Sequence, residues 1–227
     1  MREVVFDTET TGFDPFNGDR IVEIGCLVVE DYLPTGEVYH AYINPERDMP
    51  TAAEQVHGLS EEFLKDHPTF SEIVADFRDF CGDMNLVAHN AEFDMKFINW
   101  EMEKLGFSAY PASRAVDTLA IARRKFPGAN NTLDALCKRF SVDNSNRVKH
   151  GALLDAELLA EVYLELMGGR QTGLSLVTEG KKLDTAKPLQ PTEKIFRSPR
   201  PHSASPEELE RHKSFIKNIE NSLWDQT

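Results

Sequence analysis

The sequence VVFDTETTG spans residues 4–12 and is the clearest strand start in the chain. Its first three residues are β-branched or aromatic, and the polar cluster that begins at Asp7 ends the apolar run. Asp7 and Glu9 are two residues apart at the end of this predicted strand. Because side chains alternate across a strand with a period of two, both carboxylates point to the same face. The stretch therefore predicts a pair of acids at one strand end.

The following segments predict a mixed sheet. Residues 21–29 and 37–43 are strand candidates joined by a predicted turn at 33–36, and three strands in close succession indicate an antiparallel meander. Two shorter strand candidates, at 86–88 and 115–116, alternate with helical patterns. Helices are predicted at 71–81, 90–105, 118–126, 132–140 and 151–167. The order favours an α/β fold, with an antiparallel meander plus parallel strands flanked by helices.

The composition changes after residue 169. Residues 181–206 are rich in Pro, Lys, Ser and Thr without periodicity, which predicts a flexible linker. A capping box with Pro206 at the first helical position then begins an amphipathic helix. Its apolar stripe consists of Leu209, His212, Ile216, Ile219 and Leu223. We therefore expect three parts: a domain over residues 1–170, a linker segment over 171–204 and a terminal helix over 205–227.

The net charge argues against a protein that binds nucleic acid through bulk electrostatic attraction. The chain has 25 basic and 38 acidic side chains, a formal net charge of −13. Residues 170–227 carry ten basic and eight acidic groups, which leaves 15 against 30 in residues 1–169. Because the electrostatic field of such an acidic domain repels a polyanion, DNA would have to be delivered to this domain by another component.

Cellular location is predicted from three absences in the sequence. No run approaches the roughly 18 apolar residues of a membrane span, and the N-terminal residues read directly as a strand, so we expect neither a membrane segment nor a signal peptide. The three cysteines are scattered, without a C-x-x-C pair, which argues against a disulfide framework or a zinc site. We expect a cytoplasmic protein.

Three further residues extend the acidic pair into a candidate site. Asp94 follows a predicted strand, Asp155 lies near the start of a predicted helix, and His150 precedes that helix. His150 is five residues from Asp155, about 140° off its face on a continuous helix, so it must lie on the preceding loop to reach the same site. Clustered carboxylates need a cation, and oxygen ligands favour Mg²⁺ or Mn²⁺. Two such ions about 4 Å apart would suit phosphodiester hydrolysis, with the histidine as base.

Each acid also has an ordinary structural explanation. A polar strand end accounts for residues 7–9, and Asp94 could complement a helix dipole. Asp155 is less easily explained in this way, because it lies among apolar residues, where an unpaired carboxylate is costly. Asp117 and Asp134 look similar locally, and we interpret them as a helix cap and a dipole acid. The residues alone leave open both a two-metal site for phosphate chemistry and a set of unrelated structural acids.

Three motifs in order carry a family resemblance. The sequences FDTETTG at 6–12, HNAEFD at 89–94 and HGALLD at 150–155 resemble the exonuclease motifs of the DEDDh family. The connecting pieces VHGL, FPGA and LDALC resemble its members that proofread for a replicative DNA polymerase. The resemblance implies an RNase H-like fold and a 3′→5′ exonuclease that releases nucleoside 5′-monophosphates.

The same resemblance implies roles for individual residues. Asp7 would bridge two Mg²⁺ or Mn²⁺ ions, Glu9 and Asp155 would complete the ligation, and Asp94 would ligate through water. His150 would be the general base. The residues expected near the 3′-terminal nucleotide are Asp7, Glu9, Asp155, Thr8, Thr10 and His57. His89 is expected to support the site from outside the ligand set.

The tail implies protein partners. Gln171 opens the sequence QTGLSL, which resembles a sliding-clamp-binding peptide, but Leu176 replaces the usual aromatic residue, so we expect weak binding. By the same resemblance the helix from Ser205 would dock on the polymerase catalytic subunit, which would deliver a frayed 3′ primer end. The alternatives are a free-standing DEDDh exonuclease acting on RNA or short oligonucleotides, an inactive adaptor between clamp and polymerase, and a helix that folds back onto the nuclease.

Overall fold

A computed structural model of the 227-residue chain describes residues 1–145, 147, 149–169 and 203–219. A five-stranded mixed sheet forms the centre of the first 169 residues, and its strands are β1 (Arg2–Thr10), β2 (Ile21–Glu30), β3 (Leu33–Tyr42), β4 (Asn85–Ala88) and β5 (Ala115–Asp117). They lie in the order β3-β2-β1-β4-β5. β1 pairs antiparallel with β2 and parallel with β4, β2 pairs antiparallel with β3, and β4 pairs parallel with β5, so the predicted mixed sheet is confirmed.

The central strand is longer than predicted. We expected Asp7 and Glu9 to follow the apolar run at its end, but both lie inside β1, opposite Gly25 and Glu23 of β2. Backbone pairing with β2 continues the strand through the polar residues as far as Thr10. By the strand alternation, the two acids still share one face with Val5, whose side chain contributes to the hydrophobic cluster beneath the helix Ala152–Leu166.

The predicted turn at residues 33–36 is wrong. The β2–β3 turn consists of Asp31 and Tyr32, whose positive φ angles of 50° and 69° suit a two-residue hairpin turn. Pro34 instead pairs with Val29 inside β3, which is an edge strand, where a residue without an N–H is tolerated. A register shift on the β2 side, between residues 27 and 29, accompanies this pairing.

Seven helices lie among the described residues up to 169, and two of them were not predicted. The five predicted helices are present within a few residues of their expected bounds, whereas the two others, Thr51–His57 and Glu61–Leu64, are short and lack a long apolar period. The helices are α1 (Thr51–His57), α2 (Glu61–Leu64), α3 (Phe70–Cys81), α4 (Ala91–Lys104), α5 (Thr118–Lys125), α6 (Leu133–Phe140) and α7 (Ala152–Leu166).

Helices cover both faces of the sheet. Val4 and Phe6 belong to a hydrophobic cluster with α3 and α4, whereas Val5 belongs to a cluster with α7. A third cluster joins α5, α6 and α7. Thus α7 is packed between the sheet and two further helices, which holds the helix that carries Asp155 rigidly against β1 and β2.

The terminal helix α8 (Pro206–Lys217) is described by itself. Its capping box is confirmed, because Ser205 accepts a hydrogen bond from the Glu208 backbone and the Glu208 side chain accepts one from the Ser205 backbone. The predicted linker at 181–206 lies largely outside the described residues, as do the clamp-like sequence at 171–176 and the last residues of the predicted helix. No helix in the described part of the chain is long and apolar enough to cross a membrane.

Candidate active site

The acids of β1 lie in an environment that opposes their ionisation. Burial raises the pKa of Asp7 well above its usual value, and the negative charges of the other three candidate acids add to the effect. Burial, followed by the charges of Asp155 and Glu23, raises the pKa of Glu9 to about 8. Because these carboxyls repel one another across short distances, the site is unfavourable for full ionisation unless a cation is present.

Asp94 joins this pair from the first turn of α4. β4 lies beside β1 and runs parallel to it, and Asn90, with a left-handed φ of 70°, connects β4 to α4. The Asp94 carboxylate accepts hydrogen bonds from the Thr8 backbone N–H at 3.1 Å and from the Thr8 hydroxyl at 2.7 Å. Burial raises the pKa of Asp94 to about 7, and the Thr8 hydrogen bonds act in the opposite direction. Thr8 therefore fixes Asp94 to the central strand.

A close approach of α7 to β2 brings in Asp155. Gly25 lies opposite Asp7, and a Cβ atom on it would be 2.2 Å from the Leu153 backbone nitrogen, so only glycine permits this packing. The buried Glu23 carboxylate accepts a hydrogen bond from the Ala152 backbone N–H at 3.1 Å and caps the helix. Asp155, 3% exposed, consequently lies against the β1 acids.

His150 lies on the loop before α7, as predicted from its spacing to Asp155. Its backbone N–H donates to the Val56 carbonyl at 3.3 Å, which holds the loop against α1. The His150 Nδ1 atom is 3.3 Å from an Asp155 carboxylate oxygen, and the imidazole is about half exposed. Glu9, His150 and Asp155 each offer a ligand atom, and these atoms lie within 4.8 Å of one another. The structure therefore brings all five predicted site residues together.

Arg147 is a site residue that the sequence analysis missed. Its guanidinium donates to both Asp155 carboxylate oxygens, at 2.5 and 2.7 Å, and to Asp134 at 2.7 Å. These contacts, with Asp155 first, raise the pKa of Arg147 above its usual value. The signal for it in the sequence is a basic residue three positions before His150 within an acidic domain, whereas the loop composition alone predicts no contact for this residue.

These residues line an open cavity of about 720 Å³. The acids line the cavity together with His150 and Arg147, and further lining residues carry a different chemistry: one arginine with amide and hydroxyl side chains. These residues include Asn90, Arg123, Asn130 and Thr132. Such groups can donate hydrogen bonds to phosphate or base atoms. The cavity thus pairs an acidic centre with a polar, hydrogen-bonding wall.

Other predicted residues lie at the edge of this site. The Thr10 hydroxyl donates to the Gly12 carbonyl at 2.6 Å, and His57 is buried, with its Nδ1 atom accepting from the Leu59 N–H at 3.0 Å. Neither lines the cavity, so their contact with a nucleotide stays a prediction. His89 does line it, and its Nδ1 atom lies 2.9 Å from the Thr118 hydroxyl.

The two acids interpreted as structural have different outcomes. Asp117 caps α5 by accepting from the Leu119 N–H at 2.9 Å, as expected. Asp134 does lie in the first turn of α6, but it also binds Arg147 and lines the cavity, so the interpretation as a dipole acid alone was incomplete. Tertiary contact with a loop residue gives it this second role.

The donor set of the cavity fits divalent cations. Asp7, Glu9, Asp94 and Asp155 supply carboxylate oxygens, which hard cations such as Mg²⁺ and Mn²⁺ prefer. Burial is the main cause of the raised pKa values of the first three acids, and neighbouring negative charges raise them further. A bound cation would relieve that repulsion, so the residues are suited to hold metal.

Comparisons with known proteins agree with this geometry. A family model described as "Exonuclease" matches residues 4–163. The DNA polymerase III subunit epsilon of Rickettsia felis is 48% identical over 222 residues, covering 96% of this chain and 97% of the relative. The corresponding subunit of Escherichia coli is 44% identical over 187 residues, covering 79% and 76% of the two chains.

Solved structures show the same fold. Exonuclease X in complex with 5′ overhanging duplex DNA superposes with a TM-score of 0.58 at 25% identity, covering 73% of this chain and 90% of that one. The nuclease domain of 3′hExo, a DEDDh family member, superposes with a TM-score of 0.63 at 17% identity and covers 73% and 91%. The chain belongs to the exonuclease family, in the branch of the bacterial DNA polymerase III epsilon subunits.

Proposed function

We propose that this chain is the proofreading exonuclease of a replicative DNA polymerase, which hydrolyses the 3′-terminal phosphodiester and releases nucleoside 5′-monophosphates. The observation that carries the proposal is the convergence of four carboxylates and His150 on one open cavity. The net charge of the chain, −13, also supports a polymerase subunit, because so acidic a protein gains little from bulk electrostatic attraction to DNA. Such a subunit needs only a frayed primer end, which the polymerase would deliver. Because bacterial DNA replication takes place in the cytoplasm, we propose that location for the activity.

Members of this family depend on divalent metal ions, and two Mg²⁺ or Mn²⁺ ions are proposed here. Asp7, Glu9 and Asp155 would hold them directly, with Asp7 shared between both, and Asp94 would act through water. When bound, these cations would neutralise the negative charge that develops on the phosphate during hydrolysis. Thr8 supports this set, because its two hydrogen bonds orient the Asp94 carboxylate.

The protein's own groups position the substrate and move the proton. His150 accepts the proton of the attacking water, a role that its exposed position on a loop beside Asp155 allows. Thr8, Thr10 and His57 are proposed to contact the 3′-terminal nucleotide. Arg123 and the Asn130 amide belong to the hydrogen-bonding wall of the same cavity.

A primer-degradation assay tests the activity. Full-length protein with Mg²⁺ should shorten a 5′-labelled DNA primer with a mismatched 3′ end, one nucleotide at a time, and EDTA should stop the reaction. Asp7→Asn should be inactive, whereas Asp79→Asn, the same change at an exposed position on α3, should retain wild-type activity. Faster degradation of an RNA oligomer of the same sequence would support a free-standing RNA exonuclease instead. No degradation of DNA or RNA, with or without polymerase, would indicate an adaptor.

The tail is proposed to connect the exonuclease domain at 1–170 to its partners. Residues 171–176 would bind the sliding clamp weakly, the remainder of 171–204 would act as a linker, and the helix within 205–227 would dock on the polymerase catalytic subunit. Leu209 and Phe215 of α8 are 50% and 66% exposed, and Ile219, two residues after its end, is 37% exposed. Because an isolated helix of this length is marginal in water, burial of these side chains on a partner would stabilise it.

Co-purification tests this docking. Ile216→Asp combined with Ile219→Asp should abolish recovery of the polymerase subunit, because it places charge in an apolar contact. Ser214→Asp, which adds a carboxylate away from the apolar stripe, is the matched control and should leave recovery unchanged. Truncation after about residue 180 should leave excision of a single-stranded oligonucleotide unchanged. Joint loss of thermal stability and nuclease activity would assign the helix to the nuclease domain itself.

A further inference from the structure

Arg147 occupies an unusual position for a cation. Its side chain is only 9% exposed and lies inside the acidic cavity, where it binds one buried and one exposed carboxylate. The buried partner is Asp155, whose side chain is 4% exposed, and the exposed partner is Asp134, whose side chain is 58% exposed. The guanidinium therefore joins a proposed metal ligand to a residue at the cavity rim.

Both oxygens of Asp155 accept hydrogen bonds from this guanidinium, at 2.5 and 2.7 Å. Each oxygen keeps a second lone pair, but a divalent cation bound there would lie within a few ångströms of a positive charge that cannot be deprotonated. Repulsion at that distance is large in a partly buried site. Binding of a cation to Asp155 therefore weakens the contact between Asp155 and Arg147, and that contact in turn weakens cation binding.

We propose that Arg147 is the resident counter-ion of Asp155, that it competes with the divalent cation for this carboxylate, and that Asp134 retains Arg147 once it is displaced. The proposal rests on the metal site of the proposed function. Asp134 suits this role because Asn144 donates to the same carboxylate oxygen as Arg147, at 3.1 Å, which anchors the carboxylate at the rim. Arg147 can thus leave Asp155 without losing its second ion pair.

The same displacement frees His150. Arg147 Nη2 lies 2.8 Å from His150 Nδ1, and since a guanidinium only donates, this nitrogen acts as the acceptor. While that contact lasts, the lone pair of Nδ1 is engaged by Arg147 and is not available to another donor. Departure of Arg147 from Asp155 would therefore release a metal ligand and a histidine nitrogen together, which couples metal loading to the availability of His150.

Calorimetric titration of the full-length protein with MnCl₂ tests the competition. Arg147→Gln should bind Mn²⁺ on the order of tenfold more tightly, because a competing charge at the ligand is removed. Asp134→Asn should bind it severalfold more weakly, because Arg147 then depends on Asp155 alone. The double variant should behave like Arg147→Gln. Arg139→Gln is the matched control, since Arg139 donates to the Asn131 side chain and should leave the affinity unchanged.

Thermal unfolding gives a second readout. In EDTA, Arg147→Gln should melt below the wild type, because Asp155 is left buried without a cation, and saturating Mn²⁺ should close that gap. Unchanged or weaker Mn²⁺ binding by Arg147→Gln, or wild-type binding by the exposed-site variant Asp134→Asn, would overturn the proposal while leaving the metal site intact. Absence of Mn²⁺ binding by the wild type would overturn the proposed function as well.

Discussion

Replacing Glu9 with glutamine should stabilise the metal-free protein at alkaline pH, although it removes a proposed metal ligand. Glu9 is 8% exposed and its pKa is raised from 4.5 to about 8, mainly by burial and then by the negative charges of Asp155 and Glu23. Glutamine has nearly the same shape without the charge. The substitution therefore removes the electrostatic penalty while largely conserving the packing.

The direction in which stability changes with pH follows from the number of protons that the folded and unfolded states bind. Below about pH 4.5 the Glu9 carboxyl is protonated in both the folded and the unfolded chain, so it contributes no pH dependence. Between that pH and about 8 the folded state binds more protons, so the free energy of unfolding falls as the pH rises. At about 1.4 kcal/mol per pKa unit, the full rise in the pKa of Glu9 would lower the free energy of unfolding by about 5 kcal/mol. Because neighbouring acids share the repulsion, we expect a loss of roughly 2–4 kcal/mol.

Thermal unfolding in EDTA measures this effect. Glu9→Gln should melt with the wild type at about pH 5, and at about pH 9 it should melt roughly 4–16 °C higher. Glu103→Gln, the same change at an exposed position on α4, is the control and should match the wild type at both values. Saturating Mn²⁺ should reverse the order by stabilising the wild type more. A variant that melts below the wild type at alkaline pH in EDTA would refute the crowded-carboxylate argument.

Three further substitutions test individual contacts. Asp155→Asn should be inactive and should melt lower in EDTA, because Arg147 loses its main buried ion pair; equal or higher stability would contradict that pairing. His150→Gln should lower kcat by roughly 10²–10⁴ with calorimetric Mn²⁺ affinity little changed, and a collapse of affinity would identify a ligand instead. Gly25→Ala should lower thermal stability and activity together, since its Cβ would be 2.2 Å from the Leu153 nitrogen, and a wild-type melting curve would contradict the close packing.

Local periodicity accounts for the part of the site that the sequence predicted. Asp7 and Glu9 share a face because strand alternation is a property of neighbouring residues, and His150 had to lie on a loop because of its spacing to Asp155. Both statements hold in the structure. The convergence of these residues with Asp94 came from the family resemblance, since the residues alone also left open a set of unrelated structural acids.

Long-range contacts account for what the sequence did not predict. Glu23 caps α7 across 129 residues, and Gly25 permits the helix to approach, but neither stands out from its neighbours in β2. The turn at Asp31 and Tyr32 lacks the glycine or proline that usually marks such a turn, and the Pro34 nearby suggested the wrong position. These features depend on the packed sheet rather than on local propensity.

The acidic site shows how stability and function oppose each other in this fold. Burial raises the pKa values of Asp7 and Asp94, which means that the folded chain holds these groups at a cost that packing elsewhere must offset. Arg147 pairs directly with Asp155, and its charge also lowers the pKa of Asp7 and of Glu9, so it reduces that cost in part. A second arginine among the acids would stabilise the metal-free protein further, but it would also exclude the cations that hydrolysis requires. One arginine shared with Asp134 at the cavity rim therefore balances the stability of the metal-free site against its capacity to bind metal.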